Sequence, residues 1–192
     1  MTSRVGATLP AWAIRLMAEL DAADETVKEL VTGLTSEQLN WQPEPNAWSV
    51  GQCLEHLCKM NEVYLPAISS SLIGKPSCAV LEITPGWFGG WFIRSYVEPS
   101  PNSKSAHAPK MIVPSARVES SVLDRFLGSN QAGRELVRHA SNYDVNRIRF
   151  RNPFIPIIRF TVGTGLEIVS KHERRHLLQA RRAKGSSRFP ST

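Results

Sequence analysis

Apolar residues recur at three- and four-residue steps in four separate stretches of this chain, and the connections between them are broken by proline. That spacing lays an apolar stripe along each of four α-helices and leaves little room for a sheet. The first stretch opens after Pro10 and runs through Trp12, Leu16, Leu20, Val27, Leu30 and Val31 to a stop near Gly33. The second begins at Ser49, which with Gln52 forms a capping box, and continues through Val50, Cys53, Leu54, Leu57, Met60, Tyr64, Ile68 and Leu72. Pro66 lacks a backbone donor and should bend the later half of that helix. A third stretch, from about Ser121, carries Val122, Phe126, Gly133, Leu136, Val137 and Ala140. The fourth starts between Thr161 and Gly165 and ends at Gly185. The expectation is an all-α four-helix bundle forming a single domain over 1–185, followed by a flexible C-terminal tail at 186–192.

The connections are uneven in character. Thr35 to Trp41 reads as a short helical turn, then Pro43, Pro45 and Asn46 impose an irregular path, with Trp41 and Trp48 expected to close the end of the bundle. From Lys75 to Ser115 the periodicity fails and six prolines intervene, so a long, partly helical insertion is expected between helices two and three. Its aromatic run, Trp87 to Phe92, carries too much apolar area for a disordered segment. We expect this insertion to act as a lid over the bundle, with a polar, mobile part from Pro99 to Ala108. Asn146 to Phe160 mixes arginine with Pro153 and Pro156, which rule out a central strand, and reads as an extended linker.

The net charge of +6 is concentrated between Arg134 and Arg151 and between Lys171 and Arg188. Arginine-rich helical faces are usually solvated, and no nucleic-acid-binding motif accompanies them, so no nucleic-acid partner is expected. No apolar run approaches the ~18 residues of a membrane span, and the first ten residues lack the layout of a signal peptide. A cytoplasmic protein with no membrane partner is expected. Cys53, Cys58 and Cys78 are odd in number and read as reduced thiols.

The chemistry concentrates in Lys171-His172-Glu173-Arg174-Arg175-His176-Leu177-Leu178-Gln179. Residues four apart share a helix face, so His172 and His176 aim two imidazoles at one point, and they continue the stripe of Val169, Ala180 and Ala183. A third ligand is needed, and His56, at the edge of the second helix's inner stripe, is the best candidate. Glu55 and Glu173 flank these histidines as candidate acceptors or a general base, while Cys53, one turn before His56, reads as packing. His107 and His139 read as surface residues. His172-Glu173-x-x-His176 also matches the zinc-protease pattern, but no edge strand stands nearby to present a substrate.

The pattern Trp48-Ser49-Val50-Gly51-Gln52-Cys53-Leu54-Glu55-His56-Leu57, followed by His172 to Gln179, resembles the DinB/YfiT-like superfamily over nearly the whole chain. The resemblance implies a four-helix bundle whose second helix gives one histidine and whose fourth gives two to a divalent metal. By position these are His56, His172 and His176, with Zn²⁺ or Ni²⁺ as the expected ion. Three protein ligands leave positions open, where a divalent ion acidifies a thiol or water. Some relatives use a low-molecular-weight thiol as cosubstrate and others hydrolyse amides. A metal-dependent transferase acting on a small thiol is therefore expected, with Glu173 and Glu55 as candidate catalytic groups and Trp87 and Trp91 as candidate substrate contacts. The alternatives are a hydrolase and a noncatalytic metal-binding or stress-related interaction protein. A small-molecule substrate and a possible homodimer complete the expected partners.

Overall fold

The computed structural model describes residues 8–99 and 108–191. Four long helices form the body: α1 (Ala11–Val31), α3 (Val50–Leu72), α5 (Val122–Ala140) and α6 (Val162–Lys184), with a short α2 (Ser36–Asn40) after the first. The expected capping box at Ser49 is present: its hydroxyl accepts from the Gln52 amide at 3.1 Å and the Gln52 side chain accepts from the Ser49 amide at 3.1 Å. Thr35 and Gln38 make a second capping box at α2, and Thr161 caps α6. Each cap satisfies donors that a helix start would otherwise leave open, which fixes where the helix begins.

Helices α3 and α1 each pack on both α5 and α6, so α1 faces α3 across the bundle. The core divides in two. One cluster holds Trp12, Leu16, Tyr64, Ile68, Leu166 and Val169, and the other Val27, Leu54, Leu57, Phe126, Leu177 and Ala180. Side chains such as Leu54 and Phe126, with no exposed surface, each contribute roughly 1.5–3 kcal/mol through removal from water. Between the clusters lies a band of buried polar groups that includes His56, Asn61, Asn130, Glu173 and His176. A bundle built for stability alone would fill that level with apolar residues.

The insertion after α3 is partly helical, as expected. It holds α4 (Gly86–Phe92), continued by a π-helical turn (Ile93–Val97), and later a 3₁₀ turn at Lys110–Ile112. Its start is pinned where Trp12 Nε1 donates to the Val80 carbonyl at 3.0 Å. The expected mobile segment falls almost wholly on residues 100–107, which lie outside the described residues, as does His107.

Residues 146–160 are not the extended linker that the prolines suggested. They hold an antiparallel hairpin, β1 (Arg149–Arg151) and β2 (Arg159–Thr161), with Phe150 opposite Phe160. Pro153 and Pro156 fall between the strands, where no ladder donor is required, so the bar against a central strand does not apply to a two-stranded ribbon. Phe150 is seated so tightly on α6 that a Cβ at Gly165 would stand 2.6 Å from its ring. The stretch read as a tail touches the body: Phe189 packs edge-on against Trp41 at 5.5 Å, and Gln38 Nε2 donates to the Pro190 carbonyl at 2.9 Å.

Candidate metal centre

Two helices bring the three histidines together. The Ser49 cap sets the phase of α3 so that His56, two turns in, faces α6, where His172 and His176 stand one turn apart. Their potential ligand nitrogens all lie within 4.8 Å of one another, and the Nε2 atoms of His56 and His172 are 3.4 Å apart. Two nitrogens bound tetrahedrally to zinc at about 2.0–2.1 Å are separated by about 3.3 Å.

The other ring nitrogens fix the direction of the lone pairs. His56 Nδ1 donates to the Ile112 carbonyl at 2.8 Å, and His176 Nδ1 donates to Gln179 Oε1 at 3.0 Å. Each bond holds the proton on Nδ1 and leaves Nε2 as the free donor of an electron pair, the tautomer a metal requires. His172 is only partly covered, yet its Nδ1 is buried with no partner among the described residues. Burial keeps all three rings neutral. It lowers the pKa of His56, with Lys59 adding to the effect, and it lowers that of His172 strongly, aided by His176, His56 and Arg175. It also pushes that of His176 down to about 3. Neutral imidazoles whose Nε2 atoms converge fit a divalent cation, and the buried Nδ1 of His172 leaves that ring free to present its unprotonated nitrogen to the same point.

The surroundings include a residue to which the sequence reading gave no such role. The Trp48 ring lies 4.7 Å from that of His56 and 5.5 Å from that of His176, covering one side of the group rather than merely closing the bundle end. The far end of the insertion forms a second wall. One face of α3 grips it: Lys59 Nζ donates to the Val113 carbonyl at 3.0 Å, Gln52 Nε2 donates to the Ser115 carbonyl at 3.0 Å, and Glu55 accepts from the Ser115 amide at 2.5 Å. The insertion thus reaches the histidines through Ile112, and Glu98 approaches Lys171, next to His172, at 4.0 Å.

The flanking carboxylates are engaged elsewhere. Burial would raise the Glu55 carboxyl, but hydrogen bonds from Ser115 and Lys59 outweigh it and hold the pKa below its ordinary value. That makes Glu55 a clamp on the Ser115 loop. Glu173 points into the interior, where Asn61 Nδ2 donates to its Oε1 at 2.9 Å, and it is 1% exposed. Burial pushes its pKa up to about 8. Glu173 Oε2, Asn61 Oδ1 and Asn130 Oδ1 are all buried acceptors without a donor among the described residues, and a proton on Glu173 supplies one. A neutral acid held in this way is unsuited to the base role of the protease pattern.

Cys53 is fully buried in the core, with its thiol pushed up to about 12 by burial. Trp87 and Trp91 are 83% and 37% exposed, and the rings that Trp91 meets are Phe88 and Tyr96 rather than the imidazoles. His139 is exposed, as expected. The hairpin arginines precede α6, whose first residue, Val162, is ten residues and therefore about 15 Å along the axis from His172. A groove of about 520 Å³ between α3 and α5 is lined by Asn61, Leu65, Ser129 and His139 among others, and by none of the three clustered histidines.

Of the residues missed by sequence reasoning, Gln179 was the most legible, since it stands three positions after His176 on one helix face. Trp48 lies directly before a capping box, which places it at a helix entrance without saying what it touches. The Ile112 contribution is a backbone carbonyl and has no residue signature.

A family model described as the DinB superfamily matches residues 19–180. No curated protein and no solved structure gives a match.

Proposed function

The chain belongs to the DinB superfamily, and from that premise we propose that it is a metal-dependent transferase acting on a low-molecular-weight thiol, with His56, His172 and His176 holding a divalent ion. The observation that carries this reading is the pair of Nδ1 hydrogen bonds, to the Ile112 carbonyl and to Gln179, which turn Nε2 of two histidines toward the third ring. Zinc or nickel suits three imidazoles. The ion supplies Lewis acidity toward a thiol or a water molecule, and three protein ligands leave it room to do so.

The chain's own residues do the rest. Trp48 excludes water from one side of the group and restrains the tilt of two rings. Ile112 closes another side, and the Glu55 to Ser115 clamp holds it there. Lys59 and Arg175 add through their charge to the burial that lowers the histidine pKa values. In the transfer, the thiol sulfur bonds to an electrophilic carbon, the leaving group departs with the electron pair of the broken bond, and the thiol proton passes to solvent. Glu173, buried and favouring its protonated form, serves the interior network rather than the reaction.

The cover that Trp48 and Ile112 place on the imidazoles favours a second reading, a noncatalytic metal-binding protein. Incubation of the metal-loaded protein with several small thiols and electrophilic acceptors separates the two, with His172→Ala as the blank. Metal-dependent consumption of thiol and acceptor together supports the transferase. Hydrolysis of amides or esters without thiol moves the reading to a hydrolase, and stable metal binding without thiol binding or turnover favours the noncatalytic protein.

A further inference from the structure

The β1–β2 hairpin and α4 form a surface to which the histidine site gives no use. Along the hairpin the alternation puts Phe150 and Phe160 inward, 3% and 2% exposed, and Arg149, Arg151 and Arg159 outward. Arg151 stands directly opposite Arg159 in the ladder. Like charges in that position are destabilising unless an anion lies over them. Among the described residues none of the three arginines has an ion-pair partner, and between residues 144 and 161 four arginines face a single carboxylate, Asp144, which reaches Arg147 at 3.7 Å.

The turn joining the two strands carries exposed apolar side chains on a rigid support. Ile157 and Ile155, in the turn, are 90% and 42% exposed. The turn that carries them is fixed by Asn152, whose Oδ1 accepts from the amides of Phe154 at 2.8 Å and Ile155 at 3.1 Å. Helix α4 is docked by its inner side on the hairpin, where Phe88 stacks on Phe160 at 5.8 Å, and on the start of α6, where Gly89 lies so close to Thr164 that a Cβ would meet its hydroxyl at 2.8 Å. Its outer side leaves Trp87 83% exposed and Trp91 37% exposed. Burial in the core therefore accounts for neither the isoleucines nor the tryptophans.

We propose that the hairpin, with the exposed edge of α4 packed against it, binds an anionic phospholipid surface. Unpaired arginines match phosphate groups with paired N–H donors. Tryptophan favours the boundary between headgroups and acyl chains, and the exposed side chains of Ile155 and Ile157, on a turn anchored to the body where Phe154 stacks on Tyr64 at 5.9 Å, can insert beside it. A nucleic acid would satisfy the arginines and find a stacking surface on Trp87, but it leaves aliphatic Ile155 and Ile157 without an apolar partner, which acyl chains supply. Among the described residues no helix is long and apolar enough to cross a membrane, so the contact lies at headgroup level. It requires none of the three histidines.

The test is cosedimentation of the full chain with vesicles of phosphatidylcholine alone and of phosphatidylcholine mixed with phosphatidylglycerol, at low and high salt. The expected result is binding to the anionic vesicles that weakens with salt. Combined Arg149→Gln, Arg151→Gln and Arg159→Gln substitution should reduce partitioning at least about tenfold, and Ile157→Ser or Trp87→Ser should weaken it separately. All of these positions are exposed, so unchanged circular dichroism is expected of each variant. Equal binding to neutral vesicles, no vesicle binding, or full binding by the triple variant overturns the proposal. So does binding of an oligonucleotide or formation of a dimer that protects Trp87 from quenching without any affinity for anionic vesicles.

Discussion

The Nδ1 atom of His56 donates to the backbone carbonyl of Ile112 at 2.8 Å, which ties a candidate metal ligand on α3 to a loop 56 positions away. The loop is itself held by Gln52, Glu55 and Lys59, so three side chains of one helix position a fourth through the main chain. Loop order and ligand geometry are therefore coupled.

Glu55→Ala removes the acceptor for the Ser115 amide and hydroxyl. We expect a loss of about 1–3 kcal/mol in urea denaturation, together with faster hydrogen exchange at Val113 and Ser115 and weaker metal binding. Unchanged exchange at those two amides would show that Glu55 does not hold the loop.

Gln179→Ala leaves the His176 Nδ1 proton without its acceptor and frees the ring to turn or change tautomer. Metal affinity should fall by about 10- to 100-fold, while Gln179→Glu, which keeps an acceptor, should retain most of it. Competition with a chromogenic chelator reads both variants, and equal affinity of Gln179→Ala and the wild type would remove Gln179 from the site.

Stability of the chelator-treated protein should peak near pH 6.5. The folded pKa of His176 is pushed down to about 3 from 6.5, and that of His172 is also well below 6.5. Below 6.5 the unfolded chain therefore binds protons that the folded chain refuses, and stability falls with pH by about 1.4 kcal/mol per unit for each histidine. Glu173 acts in the opposite sense: raised to about 8 from 4.5, it holds a proton that the unfolded chain has lost. Its contribution is present at low pH and lost as pH rises from 4.5 to 8. His172 and His176, joined by His56, whose pKa is also lowered, outweigh one glutamate below 6.5, and above it the glutamate acts alone. Glu173→Gln should flatten the alkaline side and steepen the rise between pH 4.5 and 6.5, where the glutamate opposes the histidines; an identical alkaline decline in this variant would mean that Glu173 titrates normally.

The four helices were legible because an amphipathic stripe and a capping residue are local signals, and Ser49 with Gln52 marked the start of α3 to the residue. His172 and His176 were legible because helical spacing alone puts them on one face. His56 needed the stripe of a second helix, and its place beside them rests on how α3 and α6 pack. The hairpin was misread because its strands are three residues each, too short for alternation to emerge over the prolines between them. The sequence offered Glu173 as a candidate acceptor or general base and did not show its burial. Its neighbours Arg174 and Arg175 suggested an outer face, whereas the turn of the helix carries its carboxylate inward to Asn61.

The most direct measurement is elemental analysis of protein purified without a histidine tag, for wild type and for His56→Ala, His172→Ala and His176→Ala. One divalent metal per chain is expected in the wild type, with occupancy and affinity lost or sharply reduced in each variant. Full occupancy and unchanged affinity in His56→Ala would contradict a three-histidine centre.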